Sequence, residues 1–321
     1  MLHQNDSQWL SLVPEDCGVL SFYSADKLLY ISNSVNMKGR IDHLWKKRNS
    51  DSIIKELFES SDNLDIKLTK TPLEALCKTK SLLSHQTPEY NSRITLWKDY
   101  VYLAVNPQEF PFIKITEYTE EEWFYLGPFR SRFFLMDLME LMNKLLKLPF
   151  CEVKEGPCEK LDNDRCQGWC NSIYNELSQE ENSEKPELLK LDALLKEAYI
   201  HADNGLLEML DKEKAKYEDE LQFEKGELLK PNIELLKKYK QWLIFLYQAK
   251  QLTYNTDLIT VQNGQMIRCI VDEKEFTFPF QKIEYRKNEQ LAHNKNMLEE
   301  AWILFRWFPT CVGKTVKGRI K

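Results

Sequence analysis

Four of the eight cysteines are crowded into one short stretch of the chain. Six, seven and three residues separate them in turn, and the stretch also contains glycine, proline, aspartate and asparagine: Cys151, Cys158, Cys166 and Cys170. Four thiolates in one irregular loop suit either tetrahedral zinc or a Cys₄ iron–sulfur cluster. Unligated thiols are the third alternative, and the chemistry of the thiolates alone does not choose among the three.

The composition limits the cellular compartment and the partners that such a site could have. No run of about eighteen apolar residues occurs, and the first residues, Met1–Ser7, are polar, so we expect no membrane partner and a cytoplasmic location. Thiols stay reduced there, which favours metal ligation over disulfides. The formal net charge of -6 excludes a generic polyanion binder. Any DNA contact must therefore come from a local patch.

The N-terminal elements form a strand, strand, helix, strand, helix order. Gly18–Tyr23 and Lys27–Ser32 alternate in the manner of strands, with a connection short enough for a hairpin. Apolar residues recur at helical spacing from Met37 to Lys47. A third strand is predicted over Leu64–Leu68, and Thr71-Pro72 opens a helix that runs to about Ser84.

The rest of the chain changes from strands to helices. The pattern predicts β structure over residues 94–132, with a turn at Gly127-Pro128, and an amphipathic helix over Phe133–Leu148. Helical periodicity resumes after an exposed linker at Ser178–Pro186, and Pro231 should break or kink it. The C-terminal elements are a β-rich patch over 258–280 around an Asn263-Gly264 turn and a helix over 297–308.

Short motifs in the first half of the chain follow a recognisable order. They are Gly18-Val19-Leu20, Tyr30-Ile31-Ser32, Arg40, Pro88-Glu89-Tyr90-Asn91 and Tyr125-Leu126-Gly127-Pro128-Phe129. Their order and spacing resemble the GIY-YIG nuclease domain and the following segment of the bacterial excision-repair family of UvrC and its shorter homologue Cho. The resemblance covers residues 1–172 well and residues 173–255 poorly.

The resemblance implies roles for three retained positions. In the family a tyrosine helps to activate water, an arginine stabilises the charged phosphate, and a helix glutamate holds one divalent metal. By resemblance Tyr30 matches the tyrosine of the second half-motif, Arg40 matches the arginine, and Asn91 matches the asparagine that closes the domain. These are the candidate catalytic residues, and Mg²⁺ is the implied metal if the nuclease is active.

Other family positions have been replaced. Leu20 stands where the first half-motif has tyrosine, and Ser32 and Asn33 stand where the second has glycine and the lysine after it. Counting back from Asn91, the metal glutamate falls on Thr79. A neutral hydroxyl is a poor sole ligand for Mg²⁺, which is normally held through carboxylates.

Nearby residues are poor substitutes for the lost groups. Glu74 lies about 140° around a helix from Thr79, and Tyr23, three residues beyond Leu20 along a strand, points to the opposite face. We therefore expect weakened or lost metal-dependent cleavage on a retained fold. A phosphate-contacting patch is expected around Arg40, with basic neighbours on the same helix: Lys38, Lys46, Lys47 and Arg48.

Two later segments also resemble the family. Arg165-Cys166-Gln167-Gly168-Trp169-Cys170 is similar to the end of its four-cysteine segment, which implies a 4Fe-4S cluster, with zinc as the alternative. Residues 211–240 resemble the helical hairpin that binds UvrB, so a UvrB-like protein is a possible partner, and a plain packing hairpin is the alternative.

We interpret the chain as an α/β (α+β) protein. A small mixed sheet with helices comes first, then the cysteine-rich segment, then a mainly helical half with a β-rich patch. The expected divisions are 1–100, 101–172, 173–255 and 256–321. Two functional hypotheses remain: a DNA-binding excision-repair protein with impaired cleavage, and an active Cho-like metal-dependent endonuclease that incises damaged DNA.

Overall fold

The computed structural model describes residues 7–94, 97–149, 159–164, 166–178, 185–201 and 205–308. These residues divide into two compact units, each assembled from separate stretches of the chain. The first unit contains residues 7–98, 251–282 and 299–308, and the second contains residues 99–250 and 283–298. Within the described ranges, every helix is too short or too polar to cross a membrane.

A three-stranded antiparallel sheet organises the N-terminal part of the first unit. Its strands are β1 (Gly18–Ser24), β2 (Lys27–Ser34) and β3 (Asn63–Leu68), with β1 in the centre and β2 at one edge. The two residues Ala25-Asp26 close the β1–β2 hairpin, and Ala25 has a φ of 50°. The hairpin and the third strand predicted from alternation are both confirmed.

Four helices accompany this sheet. They are α1 (Met37–Lys47), α2 (Ser52–Ser60), α3 (Pro72–His85) and α4 (Glu89–Arg93). The sequence predicts α1 and α3 correctly, and it misses α2. That helix begins after Asp51, whose carboxylate accepts hydrogen bonds from the N–H groups of Ile53 and Ile54.

The two faces of the sheet bury different helices. On one face Leu20, Phe22 and Tyr30 join apolar residues of α1 and α2 in one cluster. On the other face Val19 and Ile31 pack against Ala75 of α3. Because successive strand residues alternate between faces, the sequence position of each strand residue decides which helices it contacts.

The first unit also contains a second antiparallel sheet. Its strands are β7 (Tyr254–Asn255), β8 (Ile259–Gln262), β9 (Gln265–Val271) and β10 (Lys274–Thr277), and α11 (Leu298–Trp307) packs with them. Asn263 and Gly264, with φ of 48° and 78°, form the predicted turn between β8 and β9. Leu76 and Cys77 of α3 join the core of this sheet.

The sheet of the second unit includes one parallel pair. Strands β4 (Val101–Val105), β5 (Ile113–Thr116) and β6 (Phe124–Phe129) are antiparallel, and β11 (Leu291–Ala292) pairs parallel with β6. The predicted turn at Gly127-Pro128 is wrong, because both residues lie inside β6. A φ of 129° at Gly127 accommodates them within the strand.

The helices of the second unit follow in chain order. They are α5 (Arg132–Leu146), α6 (Glu159–Asp162), α7 (Trp169–Leu177), α8 (Pro186–Leu195), α9 (Leu206–Asp219) and α10 (Phe223–Ala249). A short π-helical turn, Lys196–Ile200, extends α8. The predicted break at Pro231 is wrong, because α10 continues through it. Most of the predicted linker at 178–186 lies outside the described residues.

Candidate functional site

The side chain of Tyr30 lies in the core on the α1 and α2 face of the sheet. Leu20 pairs with Ser32 across the hairpin, and Phe22 pairs with Tyr30. Tyr30 is 2% exposed, and its ring centroid is 6.0 Å from that of Phe22. Leu20, which stands where the resemblance expects a tyrosine, is fully buried in the same cluster. Both side chains therefore contribute to the core.

Burial raises the pKa of the Tyr30 phenol above its ordinary value, because the phenolate is poorly solvated there. The positive charge of Arg40 and a hydrogen bond with Ser32 lower the pKa by less than burial raises it. A phenol that takes a proton from water must first be available as the phenolate or an acceptor. The raised pKa and the low exposure both oppose water activation by Tyr30.

Arg40 lies in the first turns of α1, where its charge acts on Tyr30. The helix is capped by Asn36, whose side chain accepts a hydrogen bond of 2.6 Å from the N–H of Gly39. Arg40 is partly exposed, and its guanidinium forms no ion pair within the part of the chain that the structure describes. It therefore remains available to an external anion such as a phosphate.

The basic neighbours predicted to extend this patch have contacts within the protein. Lys38 pairs with Glu15 at 3.2 Å and Lys46 with Asp42 at 2.6 Å, and the guanidinium of Arg48 lies 3.2 Å from the ring centroid of Trp45. The patch is thus less positive than the sequence suggests, and Arg40 is its main free charge.

Asn91 holds the edge strand next to Tyr30. Its side-chain oxygen accepts from the N–H of Ile31 at 2.8 Å, and its side-chain nitrogen donates to the carbonyl of Ile31 at 2.7 Å. Among the described strands none pairs with the outer edge of β2, so Asn91 replaces ladder bonds there. The structure therefore brings Tyr30, Arg40 and Asn91 to one region, with Asn91 in a positioning role.

Thr79 lies on the opposite side of the sheet from Tyr30. It is one helical turn after Ala75 on α3, and Ala75 packs against Val19 and Ile31. Thr79 is 5% exposed, and its hydroxyl has no hydrogen-bond partner among the described residues. The position that the resemblance assigns to the metal glutamate is therefore a small, buried and neutral side chain.

The two possible substitutes considered from the sequence are engaged elsewhere. Glu74 accepts hydrogen bonds from Lys78 Nζ at 2.7 Å and from the N–H of Lys70 at 3.0 Å. The bond from Lys78 lowers the pKa of the Glu74 carboxyl, and the Lys70 bond adds to this effect. Tyr23 packs on the α3 face, away from the cluster that contains Leu20.

The donor set of this region does not fit a magnesium ion. It offers a phenol, a threonine hydroxyl on the other face, and an amide that already bonds Ile31. Across the described ranges, no group of three or more His, Cys, Asp or Glu side chains could hold a metal. Because Mg²⁺ is held mainly through carboxylates, the residues present here lack the ligand that the chemistry requires.

The predicted cysteine site is described at two of its four positions. Cys166 is buried, Cys170 is partly exposed, and both are free thiols four residues apart at the start of α7. Trp169, between them, is 1% exposed and donates from Nε1 to the carbonyl of Lys147 at 3.0 Å. Cys151 and Cys158 lie outside the described residues.

Exposed apolar side chains gather where α9 turns into α10. Leu221 and Leu228 are each 75% exposed, and Phe223 is 58% exposed. Leu221 has a φ of 57° in the turn between the helices. The repeating leucines and glutamates of the sequence indicate a hairpin, but the pattern does not say which leucines it buries. All three lie in the segment 211–240 that resembles the partner-binding hairpin, but their exposure could not be predicted from the sequence.

Comparisons with known proteins relate the chain to one family. The family described as UvrC-like GIY-YIG domain matches residues 16–92. The UvrABC system protein C of Fusobacterium nucleatum is 24% identical over 247 residues, covering 74% of this chain and 40% of that protein. The protein of the same name from Methanococcus maripaludis is 23% identical over 303 residues, covering 92% of this chain and 54% of that protein.

A solved structure is also similar over a short part of the chain. It is the magnesium-bound GIY-YIG N-terminal endonuclease domain of UvrC from Thermotoga maritima, which is 20% identical, with a TM-score of 0.24. The match covers 27% of this chain and 99% of that one. The chain spans between about two fifths and about half of the length of the two relatives above.

Proposed function

We propose that this chain, whose residues 16–92 match the family described as UvrC-like GIY-YIG domain, acts in nucleotide excision repair. In this proposal it binds DNA and has weakened or lost phosphodiester cleavage. The buried Thr79 hydroxyl, which has no hydrogen-bond partner among the described residues and stands where the resemblance places the metal glutamate, is the observation that carries the loss of cleavage. The location of Tyr30 in the core is consistent with the same conclusion.

The proposal assigns different roles to the three retained residues. Arg40 contacts a DNA phosphate, because its guanidinium is partly exposed and makes no ion pair with the described residues. Asn91 supports the β2 edge through Ile31. Tyr30 fills the core and does not contact the reacting atoms. Such a site retains phosphate recognition without the metal that polarises the scissile bond.

The test combines cleavage and binding of a lesion-bearing DNA duplex by anaerobically purified protein. Cleavage is followed on gels with Mg²⁺ or Mn²⁺, and binding is followed by fluorescence anisotropy. We expect binding without nicking, and we expect Arg40→Ala to weaken duplex binding. Lys55→Ala is the matched control, because Lys55 is an exposed cation of α2 with a long ion pair of 3.8 Å to Glu59.

The alternative is an active Cho-like, Mg²⁺-dependent endonuclease. It predicts metal-dependent nicking of the damaged duplex that Arg40→Ala abolishes and Lys55→Ala preserves. That result would overturn the impaired-cleavage proposal. Equal duplex binding by the parent protein, Arg40→Ala and Lys55→Ala would instead remove Arg40 from the DNA contact.

We also propose that Cys151, Cys158, Cys166 and Cys170 hold a 4Fe-4S cluster, with zinc as the alternative. The close sequence spacing of the free thiols of Cys166 and Cys170 supports metal ligation. The group would tie the segment together, and no substrate contact is implied. Metal analysis and visible absorbance of anaerobically purified protein test this. Iron and sulfide support the cluster, and zinc alone supports the alternative. Cys170→Ser should reduce the metal content, whereas the control Cys17→Ser should not.

A UvrB-like repair protein is the proposed partner of residues 211–240. The exposed side chains of Leu221, Phe223 and Leu228 supply the apolar contacts that such an interface needs. Pull-down of a purified UvrB-like protein by the full chain should be lost in Phe223→Ser. Leu189→Ser, at a residue 68% exposed on α8, is the matched control. Equal capture by both variants would leave the hairpin as a packing element.

The remaining assignments follow the same proposal. We propose a cytoplasmic location. The division into 1–100, 101–172, 173–255 and 256–321 is proposed as the functional segmentation of the chain.

A further inference from the structure

Two arginines and an exposed aromatic ring surround the beginning of α5. Arg130, Arg132 and Phe133 are all exposed, and Phe133 has 77% of its surface in contact with solvent. Ser131 caps the helix by accepting a hydrogen bond of 3.2 Å from the N–H of Phe134. This helix has 15 residues, and the free N–H groups and the dipole at its N-terminus attract an anion. The basic side chains there add a second attraction.

A stack of aromatic rings supports this region from α10. The guanidinium of Arg130 lies 5.4 Å from the ring centroid of Trp242. Trp242 is fixed by a hydrogen bond from Nε1 to the carbonyl of Pro128 at 3.1 Å. Phe129 stacks on Phe134 at 6.1 Å and is 6.3 Å from Trp242. The surface is thus built on a rigid aromatic base, which lowers the entropic cost of binding a flat ligand.

A groove of about 670 Å³ runs from this surface between α5 and α10. Its charge changes along its length. Lys238 lies four residues before Trp242, whereas the acids Asp137 and Glu140 lie about 6 and 10 Å further along α5 than Phe133. The remaining charged side chains of the groove are Glu234 and Lys144. The cationic end is therefore the end that carries Phe133.

We propose that this surface, defined by Arg130, Arg132, Phe133, Lys238 and Trp242 and called the α5 surface, binds single-stranded DNA. Exposed aromatic rings stack on bases of any sequence, and neighbouring cations contact the backbone phosphates. Arg132 and Lys238 have no ion-pair partner in the described part of the chain. Duplex DNA does not fit this chemistry, since its bases are already stacked on one another.

This inference extends the DNA binding proposed above to a second surface. It rests on the proposed function, because that function is the reason for choosing DNA as the polyanion. The α5 surface belongs to the second unit, whereas Arg40 belongs to the first. The two contacts differ in what they recognise. Arg40 contacts phosphate only, and the α5 surface contacts bases that have been exposed by strand separation. The acidic end of the groove limits the bound strand to a few nucleotides at the cationic end.

Fluorescence anisotropy with the full chain tests the proposal. The probes are a labelled oligothymidylate of about 20 nucleotides, long enough for one binding surface, and a duplex of the same length. Phe133→Ala should weaken binding of the single strand about tenfold and leave duplex binding unchanged. Tyr118→Ala is the matched control, because Tyr118 is an aromatic residue of the second unit that is 74% exposed.

A charge reversal provides the second variant. Arg132→Glu should weaken single-strand binding and reduce its dependence on salt, because fewer counterions are released on binding. Lys212→Glu, on α9, carries the same change of charge and should have little effect. Circular dichroism of all four variants checks that each is folded.

The outcomes separate this inference from the proposed function. Unchanged single-strand binding in Phe133→Ala, together with weaker duplex binding in Arg40→Ala, would overturn the α5 surface and leave the proposed function in place. Loss of a UvrB-like partner in Phe133→Ala, with single-strand binding intact, would make the surface a protein interface and also overturn the inference.

Discussion

Thr79 combines deep burial with an unsatisfied hydroxyl. Its Oγ1 has no partner among the described residues, although the side chain packs on the Val19 and Ile31 face of the sheet. A buried hydroxyl without a hydrogen bond lowers the stability of a folded protein. Thr79 is therefore a position at which the polar group costs stability and forms no hydrogen bond with the described residues.

Replacing this hydroxyl should stabilise the protein. We expect Thr79→Val, which keeps the shape of the side chain, to raise the free energy of unfolding by about 1 kcal/mol in urea titrations. Thr69→Val is the matched control, because the Thr69 hydroxyl donates to the carbonyl of Thr71 at 3.0 Å. That variant should lower the free energy of unfolding. A destabilised Thr79→Val would mean that the hydroxyl has a partner after all.

His293 is the second residue whose burial has a measurable consequence. It is 5% exposed, its ring stacks on Phe245 at 6.3 Å, and neither ring nitrogen bonds a described residue. Burial lowers the pKa of His293 to about 4, and the positive charge of Lys250 adds to the effect. The imidazole is therefore neutral in the folded protein at pH 6, where the unfolded chain binds more protons.

Stability should consequently fall as the pH falls. The contribution of His293 to the free energy of unfolding is complete above pH 6.5 and is lost as the pH decreases to about 4. It amounts to about 3 kcal/mol over that window. His293→Phe keeps the ring stack and should remove this component from the pH dependence of the free energy of unfolding. His85→Phe controls for the loss of one histidine. An identical pH profile in the parent and His293→Phe would refute the assignment.

At the scale of elements, the α9–α10 hairpin shows how packing overrides local propensity. Pro231 lies inside α10, which is 27 residues long. Proline removes a backbone donor and disfavours a helix interior. The residues around it keep the helix intact, because Ile233 and Leu236 are buried beyond it and Gly226 is buried before it. Tertiary contacts of this kind outweigh one unfavourable position.

The glycines of the hairpin give a test of this balance. A Cβ at Gly226 would lie 3.7 Å from Cγ of Glu218, an ordinary contact, whereas Gly205 has a φ of 75°. We expect Gly226→Ala to raise the free energy of unfolding by about 0.5 to 1 kcal/mol. Gly205→Ala should lower it by about 1 kcal/mol, because an L side chain is strained in that conformation. Chemical denaturation measures both, and effects of the same sign would contradict the explanation.

At the scale of the molecule, the first unit depends on segments that are distant in sequence. Lys80 of α3 donates to both carboxylate oxygens of Glu300 at 2.7 Å. Glu300 also accepts from the N–H of Met266 at 2.8 Å. The Lys80 and Glu300 side chains are only 20% and 18% exposed. This pair links the helix that carries Thr79 to β9 and α11.

Breaking this link should destabilise the first unit. We expect Lys80→Ala and Glu300→Ala each to lower the free energy of unfolding by about 2 kcal/mol, because each leaves a partly buried charge without its partner. The double variant should lose less than the sum of the two. The exposed pair Lys55 and Glu59 is the control, and its variants should change stability by less than about 0.5 kcal/mol. Additive losses at Lys80 and Glu300 would contradict a direct interaction.

The sequence by itself determined the local elements of the chain. Alternation and helical spacing predict β1, β2, α1 and the Asn263-Gly264 turn, because these patterns reflect interactions between residues that are close along the chain. The order of motifs also indicated the UvrC-like family. The sequence also shows directly that Leu20 and Thr79 stand where the family has other residues, because this concerns only which residue occupies each position.

Only the tertiary structure decided where those residues lie. It buries Tyr30 in a core, places Thr79 on the other face of the sheet, and exposes Phe133 and Phe223. It also returns residues 251–282 and 299–308 to the unit that contains the N-terminal sheet. The physical reason is that burial depends on contacts between segments far apart in sequence, whereas the pattern of a single segment records only that it has an apolar side.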